Sequence, residues 1–411
     1  MMSFLGWIDH DAAQEDAILR ALGAANGHDA RDELGLGTIR DSFADLFFPG
    51  LSTIQQRVRY FLFVQWCCEE AASQIDAGRI LSKLRTNEET LIHSLKHLGE
   101  RQGVIGIVSQ EDLERMPSEI YWNGLMVLGM RRASGSRQRW ARQVAAARSA
   151  ARTDNLMEDG SKVSIDLGFD LDRPPPPKGF PKVDNLDFTL SGDEAAFLRT
   201  RLTDACVDPS RHGHEYNLFG TFLRHRRRTH AQTPWEHPRM INLKPEARDM
   251  LLLAAAFAQI MHGAVILYNV CVSRLMPPSD VATRTLSSHV TALSDWLKEL
   301  NPANVSLLSR RIPELAALGT MTRHRIDQQA ISFARRWTQL CEEPEKLLDN
   351  SAANRLVSDR EVFLKASSGT SRIRFSKQRD RWGGESGSQQ MDFRWRTARS
   401  CLNDLATPAD A

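Results

Sequence analysis

The sequence predicts a mainly α-helical protein: two helical domains and a small β- or loop-rich C-terminal region. Three observations lead there. Apolar residues recur at helical spacing through most of the chain, not in strand-like alternation. Residues 250–272 form one long, almost uninterrupted apolar run. A proline-bearing acidic stretch at 153–187 breaks the helical pattern in two. At 411 residues the chain can bury more than one core.

The opening stretch "RDELGLGTIRDSFADLFFPGLSTIQQRVRYFLFVQW" reads as a helical hairpin. Ile39, Phe43, Leu46 and Phe47 line one helix face, and Pro49-Gly50 stops that helix. Ser52 or Thr53 is placed to cap the next, whose stripe is Ile54, Val58, Phe61 and Leu62. Arg57 and Arg59 flank the stripe, where their stems cover the seam and their heads stay wet. Leu91, Leu95 and Leu98 predict a further helix ending near Gly99. "GVIGIV" then suggests a brief strand, and Ser109 with Asp112 a capped turn of helix. Helix, helix, strand is also the order of a winged-helix module.

Residues 131–152 hold seven arginines and no acid, a helix with Trp140 and Val144 on its buried side. Residues 153–187 carry eight acids against four bases, with five prolines that favour extended chain. Ser191 and Glu194 form a capping box that opens the next helix. Helices are expected over about 246–275, 280–300 and 322–345. The layout is therefore a helical domain over 1–152, a connector over 153–187, a central helical domain over 188–350 and a basic, aromatic region over 351–411.

The apolar run at 250–272 has the length of a membrane span. Gln259, His262 and Asn269 interrupt it, and each is costly in lipid. The reading is a buried core helix whose polar side chains find partners, and no membrane association. The N-terminus, "MMSFLGWIDHD", reaches acids too early for a signal peptide, so a cytoplasmic location is expected. Six cysteines without a C-x-x-C pair read as reduced thiols.

No Ser-His-Asp order, Walker loop or H-E-x-x-H motif is present, so no catalytic residue is assigned. Asp32, Glu33, Asp41 and Asp45 have a spacing that suits a divalent metal, but ion pairs with neighbouring arginines explain them more simply. His212, His214, His225, His230 and His237 crowd one segment without a zinc pattern, so no metal and no cofactor is assigned.

The net charge is only +2, so any basic surface is local. Three segments stand out: Arg131, Arg132 and Arg139; Arg226, Arg227 and Arg228; and Arg372, Arg374 and Arg381 with Trp382 and Trp395. Arginine forks match phosphate oxygens, and interleaved rings offer stacking to bases. These eleven residues are the candidate nucleic-acid contacts.

"SFLGWIDHD", the opening stretch, "PSEIYWNGL", "MHGAVILYNV" and "RWGGESGSQQMDFRWR" together resemble a bacterial family catalogued as a domain of unknown function. The likeness spans nearly the whole chain and implies no site residues. It implies a setting near helicase and phospholipase-D-like nuclease genes of anti-phage defence loci. Gln65 stands where that family is expected to carry proline, so the helix should run on past Trp66. The reading is a non-enzymatic accessory protein that binds nucleic acid or a helicase or nuclease partner through arginine-rich surfaces. A purely structural subunit and an enzyme with an unrecognised site are the alternatives.

Overall fold

The computed structural model describes residues 32–97, 103–105, 115–154, 165–184, 186–210, 214–347, 350–387 and 389–406. Helices dominate them: α1 (Gly37–Phe47), α2 (Tyr60–Ala71), α3 (Ala77–His97), α4 (Pro117–Val127), α5 (Arg137–Asp154), α6 (Gly192–Asp204), the single turn α7 (Phe219–Phe222), α8 (Pro245–Arg274), α9 (Asp280–Glu299), α10 (Pro302–Met321), α11 (Gln328–Leu340), α12 (Ser351–Lys365), the short α13 (Ser376–Asp380) and α14 (Trp395–Asp404). No strand occurs among the described residues; Arg131 and Phe169 form one isolated antiparallel bridge. Gly103 to Ile105 of the expected strand are in turns, and the rest of it, with the Ser109–Asp112 cap, lies outside the described residues. Described residues in 351–406 form α12, α13 and α14 with loops over 366–375 and 381–394 between them, and no strand.

α8 is the central rod. α9, α10, α11 and α12 pack around it, and α1 packs on α10. Its buried face carries Leu, Ala, Phe and Met nearly all round. Gly263 lets α9 approach closely, since a Cβ there would sit 2.2 Å from the Trp296 ring. Gln259 and Asn269, two polar side chains of this helix, are satisfied. Gln259 donates to the Glu299 carbonyl at 3.0 Å and accepts from Asn304 at 2.7 Å. Asn269 exchanges two bonds with the Ser386 backbone at 2.9 and 3.0 Å. The helix is long and apolar enough to cross a membrane, and most of that surface is buried by its neighbours.

α2 packs on α3 and α4, and α3 on α5. Trp140 and Val144 form the buried side of α5, as the sequence predicts. The expected Ser191 box is also present: Ser191 Oγ accepts from the Glu194 amide at 3.2 Å, and Glu194 accepts from the Ser191 amide at 3.0 Å.

The opening stretch differs from a simple hairpin. Gly50, at φ +81°, makes the turn, and the Gly124 backbone of α4 packs so close that a Cβ would meet the Gly50 carbonyl at 2.5 Å. The second helix starts at Tyr60, not after Ser52 or Thr53. The backbone between them is satisfied from a distance. Tyr121 Oη accepts from the Gln56 amide at 2.9 Å and donates to the Arg57 carbonyl at 2.9 Å, while Asp404 accepts from the Val58 amide at 3.0 Å. The arginine heads are not wet. Arg57 forks onto Asp404 at 2.9 and 3.1 Å, and Arg59 pairs with Glu194 at 2.8 Å. Past them the helix does continue beyond Trp66, to Ala71, with the buried Gln65 donating to the Met130 carbonyl at 2.7 Å.

The acids of the opening are held by ion pairs and caps, Asp32 and Asp41 with neighbours in the sequence, Glu33 and Asp45 with distant partners. Asp32 accepts from the Leu36 and Gly37 amides at 2.7 and 2.6 Å, at the start of α1. Asp41 pairs with Arg40 at 3.0 Å. Asp45 takes His324 Nε2 at 2.7 Å and also Arg394, which together draw its pKa below the ordinary value against the cost of burial. Glu33 is buried and bonds Arg372 at 2.6 Å and Lys365. The described part of the connector is pinned at three points: Trp66 donates to the Pro174 carbonyl at 2.9 Å, Ser94 to that of Pro181 at 3.1 Å, and Arg132 pairs with Asp166 at 2.7 Å. Buried apolar side chains from Leu34 to Leu405 form one continuous cluster.

Removing Glu33 strands two cations in the interior. Glu33→Ala is expected to cost about 3–5 kcal/mol, the usual effect of breaking a buried ion pair. Urea denaturation followed by circular dichroism measures it; a loss below about 1 kcal/mol would show the pair to be incidental.

Candidate polyanion-binding surface

The run of arginines at 224–228 follows α7 through a short 3-10 turn, Leu223–His225. Arg226 ends that turn in the left-handed region, at φ +59°. An L-residue there costs roughly 1–2 kcal/mol, so the surroundings must impose it. They do so from both sides. The Thr229 amide donates to Asn403 Oδ1 at 2.8 Å, and Asn403 Nδ2 donates back to the Thr229 carbonyl at 3.2 Å. The Ala231 carbonyl accepts from Trp395 Nε1 at 2.9 Å and from Arg399 at 3.0 Å. Beneath the loop the Phe222 and His237 rings stack at 4.0 Å, with Trp395 edge-on to both at 5.9 Å.

On this floor Arg224, Arg226, Arg227 and Arg228 are exposed. Among the described residues, no hydrogen bond or ion pair holds the side chains of Arg226 and Arg227. Arg199 of α6 joins them. It donates to the Leu405 carbonyl, yet its buried Nε has no acceptor among the described residues. Burial first, and the neighbouring Arg226 charge second, hold its guanidinium below the ordinary range. Asp404 is the nearby carboxylate, and Arg57 already occupies it. Burial lifts the Asp404 pKa against the pull of Arg57 and Arg228. The surface therefore carries more cations than its own anions balance.

The other expected contacts are placed differently. Arg131 is buried over the Trp122 ring at 4.3 Å and donates to backbone carbonyls. Arg132 is exposed but paired with Asp166, and Arg139 is half-buried on α5. Arg372 is buried against Glu33. Arg374 and Arg381 are exposed. Trp382 is 7% exposed, stacked on His289 at 5.9 Å, and Trp395 is 1% exposed. Neither indole presents a face to a base in this structure. The three basic segments rest on separate supports: α5 and the connector, the α7 loop, and the strap between α12 and α14.

Sequence reasoning missed Arg199, Asn403 and Asp404, since nothing in the local pattern pairs α6 and α14 with a loop far away in the chain. The histidines do not gather a metal: among the described residues no group of three or more His, Cys, Asp or Glu side chains is placed to hold one, and His212 lies outside them. All six cysteines are buried thiols outside any disulfide, with pKa values raised by burial where a shift is resolved, Cys341 to about 12.

A model of a family of unknown function, DUF6361, matches residues 2–409. The chain belongs to that family. No curated protein and no solved structure matches it. The geometry of the loop, a fixed backbone carrying the unpartnered guanidinium forks of Arg226 and Arg227, suits anion oxygens.

His237 gives this floor a pH dependence. Its Nδ1 accepts from the Arg239 amide at 3.1 Å, and burial, then the His225 and Arg239 charges, push its pKa down to about 4. The unfolded chain takes up that proton near pH 6.5. Between about 6.5 and 4 the unfolded state binds more protons, so stability contributed above pH 6.5 is lost as pH falls. Glu88, buried and pushed up to about 7, acts in the opposite sense over part of this window. The readout is therefore a difference between variants. His237→Asn keeps an acceptor for Arg239 and is expected to flatten the fall in melting temperature between pH 6.5 and 4.5; an unchanged profile refutes the assignment.

Proposed function

We propose that this protein is a non-enzymatic accessory factor that binds nucleic acid through the arginine loop at 224–228 and Arg199. The carrying observation is the set of exposed, internally unpartnered guanidiniums of Arg226 and Arg227, held on a rigid aromatic floor. A fixed cationic loop loses little freedom on meeting a phosphate, and its affinity rises by counterion release. The resemblance noted in the sequence supports a setting in bacterial defence beside a helicase or nuclease, in the cytoplasm. Arg374 and Arg381 form a second basic site within this reading. The purely structural alternative is favoured by one observation: Arg57, Arg59, Arg131 and Arg372 are spent on internal contacts.

Fluorescence anisotropy of labelled DNA tests the binding. Binding is expected at low salt and should weaken steeply with added salt, because each phosphate contact contributes about −0.9 to the log–log slope on a duplex. Changing Arg226, Arg227 and Arg228 together to Gln should reduce that slope by about 2–3. A wild-type slope in this variant, or no binding at low salt, removes the reading.

The two-domain layout, with its boundary in the connector over 153–187, belongs to the same proposal. Limited proteolysis should cut there and release two folded fragments. Loss of the whole chain in one step would instead assign it a single cooperative core.

A further inference from the structure

Trp235 differs from the other indoles of this protein. Seven of the eight described tryptophans donate their N–H to a protein acceptor. Trp235 Nε1 has no acceptor among the described residues, and its ring is half-buried, not enclosed. An indole left this way has one side seated on apolar neighbours and the other wet, the arrangement common at binding surfaces. Its seat is Phe393, edge-on at 6.3 Å.

The segment that carries Trp235 closes on itself. The His225 ring meets His237 at 5.4 Å, and Arg239 donates to the Arg224 carbonyl at 3.3 Å. Residues 224–239 therefore form one loop, with five arginines and a single acid. That acid, Glu236, accepts from the Gln232 amide at 2.9 Å. His230 is exposed on the same loop, and His225 is half-buried. Asn403 holds the loop backbone at Thr229. The Arg226 and Arg227 side chains have no partner among the described residues, so their forks can follow phosphates at irregular spacing. A duplex keeps its bases stacked on one another and shows a protein its backbone and groove edges. A single strand can turn its bases onto protein rings. Accessible rings beside unpaired guanidiniums therefore add affinity for a single strand that a duplex does not gain.

We infer that the ligand of this surface is single-stranded nucleic acid, its phosphates held by Arg226 and Arg227 and its bases stacked on Trp235 and His230. This inference rests on the binding reading above. The strand form and the stacking residues are what it adds.

The test uses the full-length chain and three fluorescein-labelled ligands of about 20 nucleotides per strand: a thymidine strand, an abasic strand with the same phosphates, and a duplex. At about 0.1 M salt the thymidine strand is expected to bind at least about 5-fold more tightly than the other two. Trp235→Ala should weaken the thymidine strand by about 5-fold or more and leave the abasic strand unaffected. It should also leave the salt slope unchanged, because an indole carries no charge. Trp235→Phe should retain most of the affinity, which separates loss of the ring from loss of its seat on Phe393. His230→Ala, at an exposed position, is the second arm. It should weaken the thymidine strand alone, with the melting temperature unchanged. Arg226→Gln with Arg227→Gln should reduce the strand's salt slope by about 1.4, at about 0.7 per phosphate. Equal binding of the thymidine and abasic strands, or tighter binding of the duplex, overturns the stacking assignment and leaves the binding reading standing. Wild-type strand affinity in both Trp235→Ala and His230→Ala does the same. No binding of any oligonucleotide overturns both readings.

Discussion

Glu33 lies at the junction of the chain's beginning, middle and end. Its buried carboxylate takes Arg372 and Lys365 and sits 3.4 Å from Tyr268 Oη on α8. Arg372 also reaches Ser386 Oγ at 3.0 Å, which accepts from Trp382 Nε1 at 3.1 Å. The Ser386 backbone is tied to Asn269, and Glu361 accepts from Ser371 and the Arg372 amide at 2.6 Å each. Burial alone would lower the Arg372 pKa; the charge and hydrogen bond of Glu33 together with those of Tyr268 outweigh it and leave that pKa raised. A buried charge of this kind persists only with its partners in place. The network thus makes the strap between α12 and α14 conditional on the opening segment and on α8 being packed.

Two further pairings extend the same constraint. Asp45 binds Arg394 and His324, and Asp404 binds Arg57 and the Val58 amide. Both link the opening stretch to Arg394 and Asp404 or to the turn before α11, so the segment over 45–58 packs against α14. The aromatic core follows: Phe43 contacts Phe257 of α8 and Phe393, and Phe48 contacts Phe219 and Trp395. Trp395 is the last link, because it forms both part of that core and the floor under the arginine loop. The candidate surface is rigid because the core beneath it depends on contacts made far away.

That arrangement sorts the arginines by role. Those whose heads meet a carboxylate or carbonyl inside the fold, such as Arg59, Arg131 and Arg372, contribute to assembly. Among the described residues, Arg226 and Arg227 of the 224–228 loop meet no such partner and keep their charge for solvent or a ligand. Composition alone treats the two groups alike, since both are arginines in basic stretches beside aromatic residues.

What the sequence by itself determined is local. Helical spacing revealed α1, α5, α8 and α9, and the Ser191 box marked the start of α6, because apolar periodicity and capping act within a few residues. The polar side chains of α8 needed partners, and the sequence showed that need without naming Glu299, Asn304 or Ser386. It did not show α10 or α14, whose patterns carry Pro313 in one and three charges in ten residues in the other. Only the tertiary structure decided where α2 begins, because Tyr121 and Asp404 satisfy the preceding backbone in place of a helix. It alone decided which arginines face solvent and that Trp382 and Trp395 face inward. Burial and pairing depend on residues more than a hundred positions apart, and no local pattern encodes which of them will meet.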